Sequence, residues 1–447
     1  MTATVREPPG PGLHPRLQSL ALKVAPFAFM EACRRRYGDV VVLRTVFIPR
    51  FVVVFDPALA KPVLQGSPER VQVADARSPI SRLLGKRSVV VLDGQEHIER
   101  RRQLLPPFHG ERMRRSTAVM TDATNRAIDS WPVGEPFPLL PSLQEVTFEV
   151  ISSVVLGLEH DTPHDDLLRR LRSLPDPFRP NRAALRVAKG AATDERPVEE
   201  LLFEEVARRS VAPDLEERED VLSMLLLARR NGTPKTDEEL RDDLVTLLIA
   251  GHETTASALT WTFDLLLRNP AVLERLEAEL AAGDETYLNA VVNESLRLRP
   301  PALFVGRMVR GDPFELGGYT IPPGTEIRAS VATIQRLTDH YEDPKEFRPE
   351  RFLGPDPPEG FSWLAFGGGV HRCLGASFAT NEMAVVTRLV VERAHLTLAD
   401  RRPERAQVTG LTQTPARGLR VRYQPKVPAS RRADGRQRSP DPEPVAR

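Results

Sequence analysis

The chain has 447 residues, of which 41% are hydrophobic and 28% charged, and its formal net charge is +1. That balance suits a soluble globular protein with a sizeable core, and near-neutrality gives no global field for nucleic acid or an anionic membrane. Two cysteines exclude a disulfide framework and a four-thiolate zinc site; no apolar run reaches the ~18 residues that predict a transmembrane helix.

The first 16 residues are rich in Pro and Gly and are expected to be irregular and flexible. They lack the apolar core of a signal peptide, so a cytoplasmic protein is expected. Arg far outnumbers Lys, and with abundant Ala and Pro this hints at a GC-rich bacterial genome. "PFAFMEACRRRYGD" has helical spacing, and "VVVLRTVFIPRFVVVF" reads as two strands around a turn at Pro49. From about Asp56 to Arg299 the pattern is mainly helical. Within it Thr236 and Glu239 form a capping box, and Asn269-Pro270 ends the helix they start. About 30 residues lie between, roughly 45 Å of helix. Strand-like stretches return after Pro300, as "ALFVGRMV", "FELGGYTIPPGTEI" and "LRVRYQP". Residues 425–447 are polar and Pro-rich and read as a disordered tail. Residues 17–424 therefore form one large domain, mainly α with minor β.

Chemistry concentrates first in "LAFGGGVHRCLG". A lone cysteine is most often a small buried hydrophobe, but Cys373 is flanked by Gly367, Gly368, Gly369 and Gly375, which permit positive φ and close backbone approach. The following "LGASFATNEMAVVTRLVVERA" is strongly helical, so the thiol sits at a helix N-terminus, where dipole and free N–H groups favour thiolate. A thiolate held by N–H donors in a glycine loop is what a haem iron needs as axial ligand. His371 and Arg372 add cationic or donor groups beside it. The stretch resembles the haem-binding loop of the cytochrome P450 superfamily, Phe-Gly-x-Gly-x-His-x-Cys-x-Gly. Phe366, Gly367, Gly369, His371, Cys373 and Gly375 fill every fixed position.

The resemblance implies the cytochrome P450 fold, a long central helix over a haem b with small sheets, and Cys373 as the iron ligand. It implies that His371 contacts a propionate, and that His97, Arg101 and Arg307 do the same. "AGHETT" in the long helix is similar to the family's oxygen-activation signature. An acid beside a hydroxyl in an apolar helix can relay protons, so Glu253 and Thr254 are the candidate catalytic pair. The plain alternative is that Thr254 bonds back to a carbonyl one turn earlier and Glu253 faces solvent. His252 is given no role. Glu294 and Arg297, three apart on one helical face, are implied with Arg351 to form a buried structural triad. The same spacing at Glu31/Arg34, Glu99/Arg102, Glu205/Arg208 and Glu238/Arg241 reads as solvated surface pairing. Gln335-Arg336 replaces the family's usual His-Arg pair.

By the same resemblance the substrate cavity is lined by Val90, Leu247, Ala250, Leu303, Phe304, Val305 and Leu411. It is mostly apolar with no fixed charge, and the variable stretch from about 160 to 215 resembles the family's lid. Arg100, Arg102 and Arg372 are expected outside the haem, as solubilising groups or as a docking patch for an acidic electron carrier. The implied activity is hydroxylation or epoxidation of a lipophilic small molecule: terpenoid, fatty acid, steroid or polyketide. O₂ is the oxidant, and NAD(P)H electrons arrive through a separate ferredoxin or flavodoxin with its reductase. A monomer with no membrane span and no nucleic-acid partner is expected. The rival readings are the same iron used for coupling, desaturation or peroxygenation, or a haem-binding sensor without turnover.

Overall fold

The structure, a computed structural model, describes residues 6–46, 48–73, 81, 84–108, 110–158, 167, 198–409 and 412–426. The expected tail beyond 426, most of the expected lid, and Leu411 lie outside the described residues. The helices are α1 (Pro15–Val24), α2 (Pro26–Tyr37), α3 (Pro57–Leu64), α4 (Gly94–Leu104), α5 (Glu111–Ser130), α6 (Leu139–Leu156), α7 (Val198–Ser210), α8 (Val221–Arg230), α9 (Asp237–Arg268), α10 (Pro270–Ala281), α11 (Thr286–Leu298), α12 (Val331–Ile334) and α13 (Ala376–Arg393). The irregular N-terminus thus ends slightly earlier than expected, because Pro15 is well placed in a first helical turn.

Helix α9 is the axis of the molecule. Thr236 Oγ1 accepts from Glu239 N at 3.2 Å and the Glu239 carboxylate accepts from Thr236 N at 3.0 Å, so the capping box forms as its sequence demands. Its 32 residues run to Arg268, and Asn269-Pro270 closes it. Helix α6 packs most extensively against it. A Cβ on Gly251 would lie 2.8 Å from Ile151 Cδ1, so that glycine lets the two helices approach closely. By length and composition alone α6 could cross a membrane. Its Val146, Val150 and Ile151 instead belong to the helical core, which explains why it is so apolar.

Twelve strands carry the β-structure among the described residues: β1 (Val40–Leu43), β2 (Phe51–Val54), β3 (Val71–Gln72), β4 (Pro136–Pro138), β5 (Phe304–Val309), β6 (Phe314–Leu316), β7 (Tyr319–Ile321), β8 (Glu326–Ser330), β9 (Ala394–Leu398), β10 (Ala406–Thr409), β11 (Thr412–Pro415) and β12 (Arg420–Pro425). The main sheet has the order β1-β2-β8-β5-β3, with β2 and β8 parallel and the other pairs antiparallel. Val40, Val42, Val52 and Val54 pack into one core, and Val41, Leu43, Phe51 and Val53 into another on the opposite face. Burial on both faces is why these strands read as unbroken apolar runs rather than alternating ones. Strands β3 and β4 interrupt the stretch expected to be helical, and β9 to β11 were not foreseen. They are short, and their residues alternate polar with apolar too briefly to register as a period.

The expected triad forms at the junction of α11 with the segment from Gln335 to Arg351. Arg297 binds Glu294 through Nε at 2.6 Å and Nη2 at 2.8 Å, and Arg351 Nε reaches Glu294 Oε1 at 3.3 Å. Arg297 also donates to the carbonyls of Gln335, Pro344 and Glu346. Gln335 answers by donating to the Leu296 and Arg297 carbonyls at 3.1 and 2.9 Å, so the departure at 335 is absorbed into this buried junction. Three of the presumed surface pairs differ. Arg34 pairs with Asp39 while Glu31 takes Lys345. Glu205 is buried and binds Arg209 as well as Arg208, with Arg209 continuing to Asp220 at 2.8 Å. Arg241 pairs with Glu199 and Asp242, not with Glu238.

Candidate functional site

A cavity of about 430 Å³ lies between α9 and the cysteine loop. Leu247, Ala250, Gly251, Thr254 and Thr255 form one side, and Cys373 to Gly375 another. The loop is shaped by its glycines. Gly367 and Gly369 have φ of 72° and 71°, and a Cβ on Gly369 would sit 2.1 Å from Leu64 O. Cys373 N donates to Phe366 O at 2.9 Å, closing the loop just before α13. Cys373 is open only toward the cavity, and elsewhere protein surrounds it. That enclosure pushes its thiol up, outweighing the Gly375 N–H, Arg101 and Arg372, which pull it down. The helix-terminal N–H and the nearby cations favour thiolate, as expected from the sequence, but desolvation outweighs them until a metal cation binds the sulfur.

Six basic residues line the cavity; His97, Arg101, Arg307 and His371 are the four of them expected from the sequence to hold a cofactor's propionates, and Arg328 and Arg372 are the other two. His97 is held by contacts of its Nδ1 to Val89 O at 2.9 Å and Nε2 to Val370 O at 3.3 Å, and its ring lies 3.8 Å from that of His371. Arg101 donates to Arg372 O at 2.7 Å, tying α4 to the loop. Arg307 donates through Nη1 to Gly306 O, while its buried Nη2 has no partner; desolvation lowers it to about 10. Asp93 is the carboxylate near this cluster that sequence reading missed. It accepts from His371 Nε2 at 3.1 Å and from Val73 N. Its position just before α4 looks like an ordinary cap, yet it makes no side-chain cap bond. A cationic cluster with an unpaired buried guanidinium fits a cofactor bearing two carboxylates, and the facing thiol fits its iron.

Thr254 lines the cavity, and its Oγ1 donates to Ala250 O at 2.7 Å, the local back-bond named as the plain alternative. Glu253 is half-buried and not part of the cavity lining. His252 contacts Thr147 Oγ1 through Nδ1 at 3.2 Å, a link between α9 and α6. Of the expected pocket residues, Val90, Leu247, Ala250, Phe304 and Val305 line the cavity. Leu303 does not; it is buried, one residue before the strand that turns Phe304 toward the cavity. Ile151, Phe108, Glu326 and Arg328 line it unforeseen, so the expectation of no fixed charge fails.

Arg100 is the clearest correction. It is buried, with Nη2 2.6 Å from Glu239 and Nη1 2.9 Å from Asp243, and Lys235 shares Asp243 at 2.6 Å. Arg102 is exposed as expected, whereas Arg372, though exposed, also lines the cavity rather than lying wholly outside it. One turn of α4 thus divides its arginines among the core, the cavity and the surface.

The family model for cytochrome P450 matches residues 8–419. Cytochrome P450 137 of Mycobacterium tuberculosis, so assigned by name, is 37% identical over 409 residues, covering 88% of this chain and 84% of that protein. Cytochrome P450 135B1 of Mycobacterium bovis, likewise assigned by name, is 35% identical over 441 residues, 94% of this chain and 92% of that one. Among solved structures, retinoic acid-bound cyanobacterial CYP120A1 superposes with a TM-score of 0.78 at 25% identity, over 95% of this chain and all of the other. The chain belongs to the cytochrome P450 family, and it is a haem-thiolate monooxygenase.

Proposed function

We propose that Cys373 is the axial thiolate of a haem b and that His97, Arg101, Arg307 and His371 hold its propionates, with Phe366 and Gly367 shaping the loop around the sulfur. The observation that carries this reading is that one enclosed thiol and these four basic residues all line a single cavity roofed by α9. When bound, the haem supplies O₂ activation and transfer of one oxygen atom to an unactivated C–H bond, or to a double bond in epoxidation. The chain's own residues bind, orient and protonate. Thr254 holds a hydroxyl proton at Oγ1 at the cavity face of α9, and leaving the Ala250 carbonyl frees it to donate there. Glu253 replenishes that proton from the side of the helix away from the cavity. Phe108, Ile151, Leu247, Ala250 and Val305 exclude water and hold the apolar body of the substrate.

The substrate is a lipophilic small molecule of the terpenoid, fatty acid, steroid or polyketide kind. Electrons come from NAD(P)H through a separate ferredoxin or flavodoxin with its reductase, docking where Arg102 and Arg372 are exposed. The test is Cys373→Ser. The wild-type reduced carbonyl adduct should show the long-wavelength band of sulfur coordination, and the variant should lose it while keeping its far-UV circular dichroism. A variant that keeps the band refutes Cys373 as the ligand.

A further inference from the structure

One charged pair in the cavity wall belongs neither to the basic cluster nor to the triad. Strand β8 sets Glu326 and Arg328 two residues apart, on one face. Arg328 grips Glu326 through Nε at 2.8 Å and Nη2 at 2.9 Å. The side chains are 24% and 20% exposed, and both line the cavity. Gly306, the partner of Arg328 across β5, makes the room: a Cβ there would stand 2.8 Å from Glu326 Oε1 and 3.2 Å from Arg328 Cγ. The guanidinium also lies over Phe51 at 4.9 Å and over Phe304, a cavity residue, at 6.0 Å. The pair is therefore fixed in place by a bidentate bond and two aromatic faces, yet open to whatever fills the cavity.

An ion pair is a poor wall for a purely apolar ligand, because part of its hydration is lost when the cavity fills. It suits a ligand that replaces that hydration. The mutual bond engages Nε and Nη2, which leaves Nη1 to donate. Because Glu326 neutralises Arg328, a ligand carboxylate is attracted by one and repelled by the other, whereas a neutral oxygen meets no such opposition. We propose that Glu326 and Arg328 form a polar anchor that selects lipophilic substrates carrying a neutral hydroxyl or carbonyl group, away from the carbon that is oxidised. This deepens the substrate reading above and rests on the β5–β8 side of the cavity being left to the substrate when the haem fills the part beside Cys373.

The experiment is equilibrium dialysis of the ferric holoenzyme with radiolabelled 1-dodecanol, n-dodecane and dodecanoate. The double variant Glu326→Leu/Arg328→Met removes both charges without stranding one. It should weaken dodecanol about tenfold, equivalent to ~1.4 kcal/mol, and leave dodecane unchanged or tighter. Glu326→Gln leaves the cation uncompensated and should tighten dodecanoate about tenfold. Matching thermal unfolding of the variants and wild type checks the fold. A double variant that binds dodecanol as tightly as the wild type makes the pair a staple of the sheet and overturns the proposal, as does a wild type that prefers dodecanoate to dodecanol. Dialysis reads no haem signal, so a missing sulfur-type carbonyl band would count against Cys373 and leave this result standing.

Discussion

Arg100→Met should destabilise the fold by about 3 kcal/mol and leave electron delivery almost unchanged. The substitution removes two charge-assisted hydrogen bonds, to Asp243 at 2.9 Å and to Glu239 at 2.6 Å. Each is worth roughly 1.5–3 kcal/mol. Lys235 remains on Asp243 at 2.6 Å, which places the sum at the lower end. Methionine keeps the apolar stem, so little packing is lost. The pH dependence follows from Asp243, which burial pushes up while Lys235 and Arg100 pull it down. A carboxyl raised above its unfolded value binds more protons when folded, so its contribution to stability falls as pH rises through that window. Without Arg100 the window widens upward, and the deficit should be larger near pH 8 than near pH 5. Urea unfolding of wild type and variant at both pH values measures it, alongside the rate of reduction by a ferredoxin. A deficit below ~1 kcal/mol that is equal at both pH values, with slowed reduction, would refute the buried role and restore the docking one.

Gly369→Ala should yield almost no folded holoprotein: the new Cβ would meet Leu64 O at 2.1 Å, at a φ that alanine disfavours. Soluble yield and haem content per chain measure it, and normal loading would show that the loop shifts freely. Arg307→Met should speed haem loss to a scavenging apo-globin by about tenfold or more, the effect of losing one buried charge-assisted bond of ~1.5 kcal/mol or above; an unchanged rate removes Arg307 from the propionate site. Thr254→Ala should raise oxygen consumed per product several-fold while substrate binding stays the same, and a fully coupled variant would remove the hydroxyl from proton delivery.

The cysteine loop was readable because its determinants are contiguous: glycines, a thiol and a helix start within one short stretch. Glu294 and Arg297 were readable by their place in the chain order, since their spacing recurs elsewhere. Arg100 was not, because Arg100, Arg101 and Arg102 differ only in helical phase. What the first faces is fixed by Asp243, 143 residues away. Glu205 failed for the same reason, its buried role being set by Asp220 through Arg209 on another segment. Glu326 and Arg328 alternate with apolar neighbours and so look like the wet face of a strand. Only the missing side chain at Gly306, on a different strand, turns that face into a cavity wall.

The parallel pairing of Phe51 with Glu326 has a consequence for how the chain is made. At about 5–20 residues per second, the ribosome needs roughly 14–55 s to travel from one to the other. Throughout that interval the inner edge of Phe51–Val54, a fully apolar ribbon, has no neighbour to bond with. The nascent polypeptide must therefore shield a sticky amino-terminal hairpin until three-quarters of the protein has been synthesised, and holding chaperones should act on this stretch first.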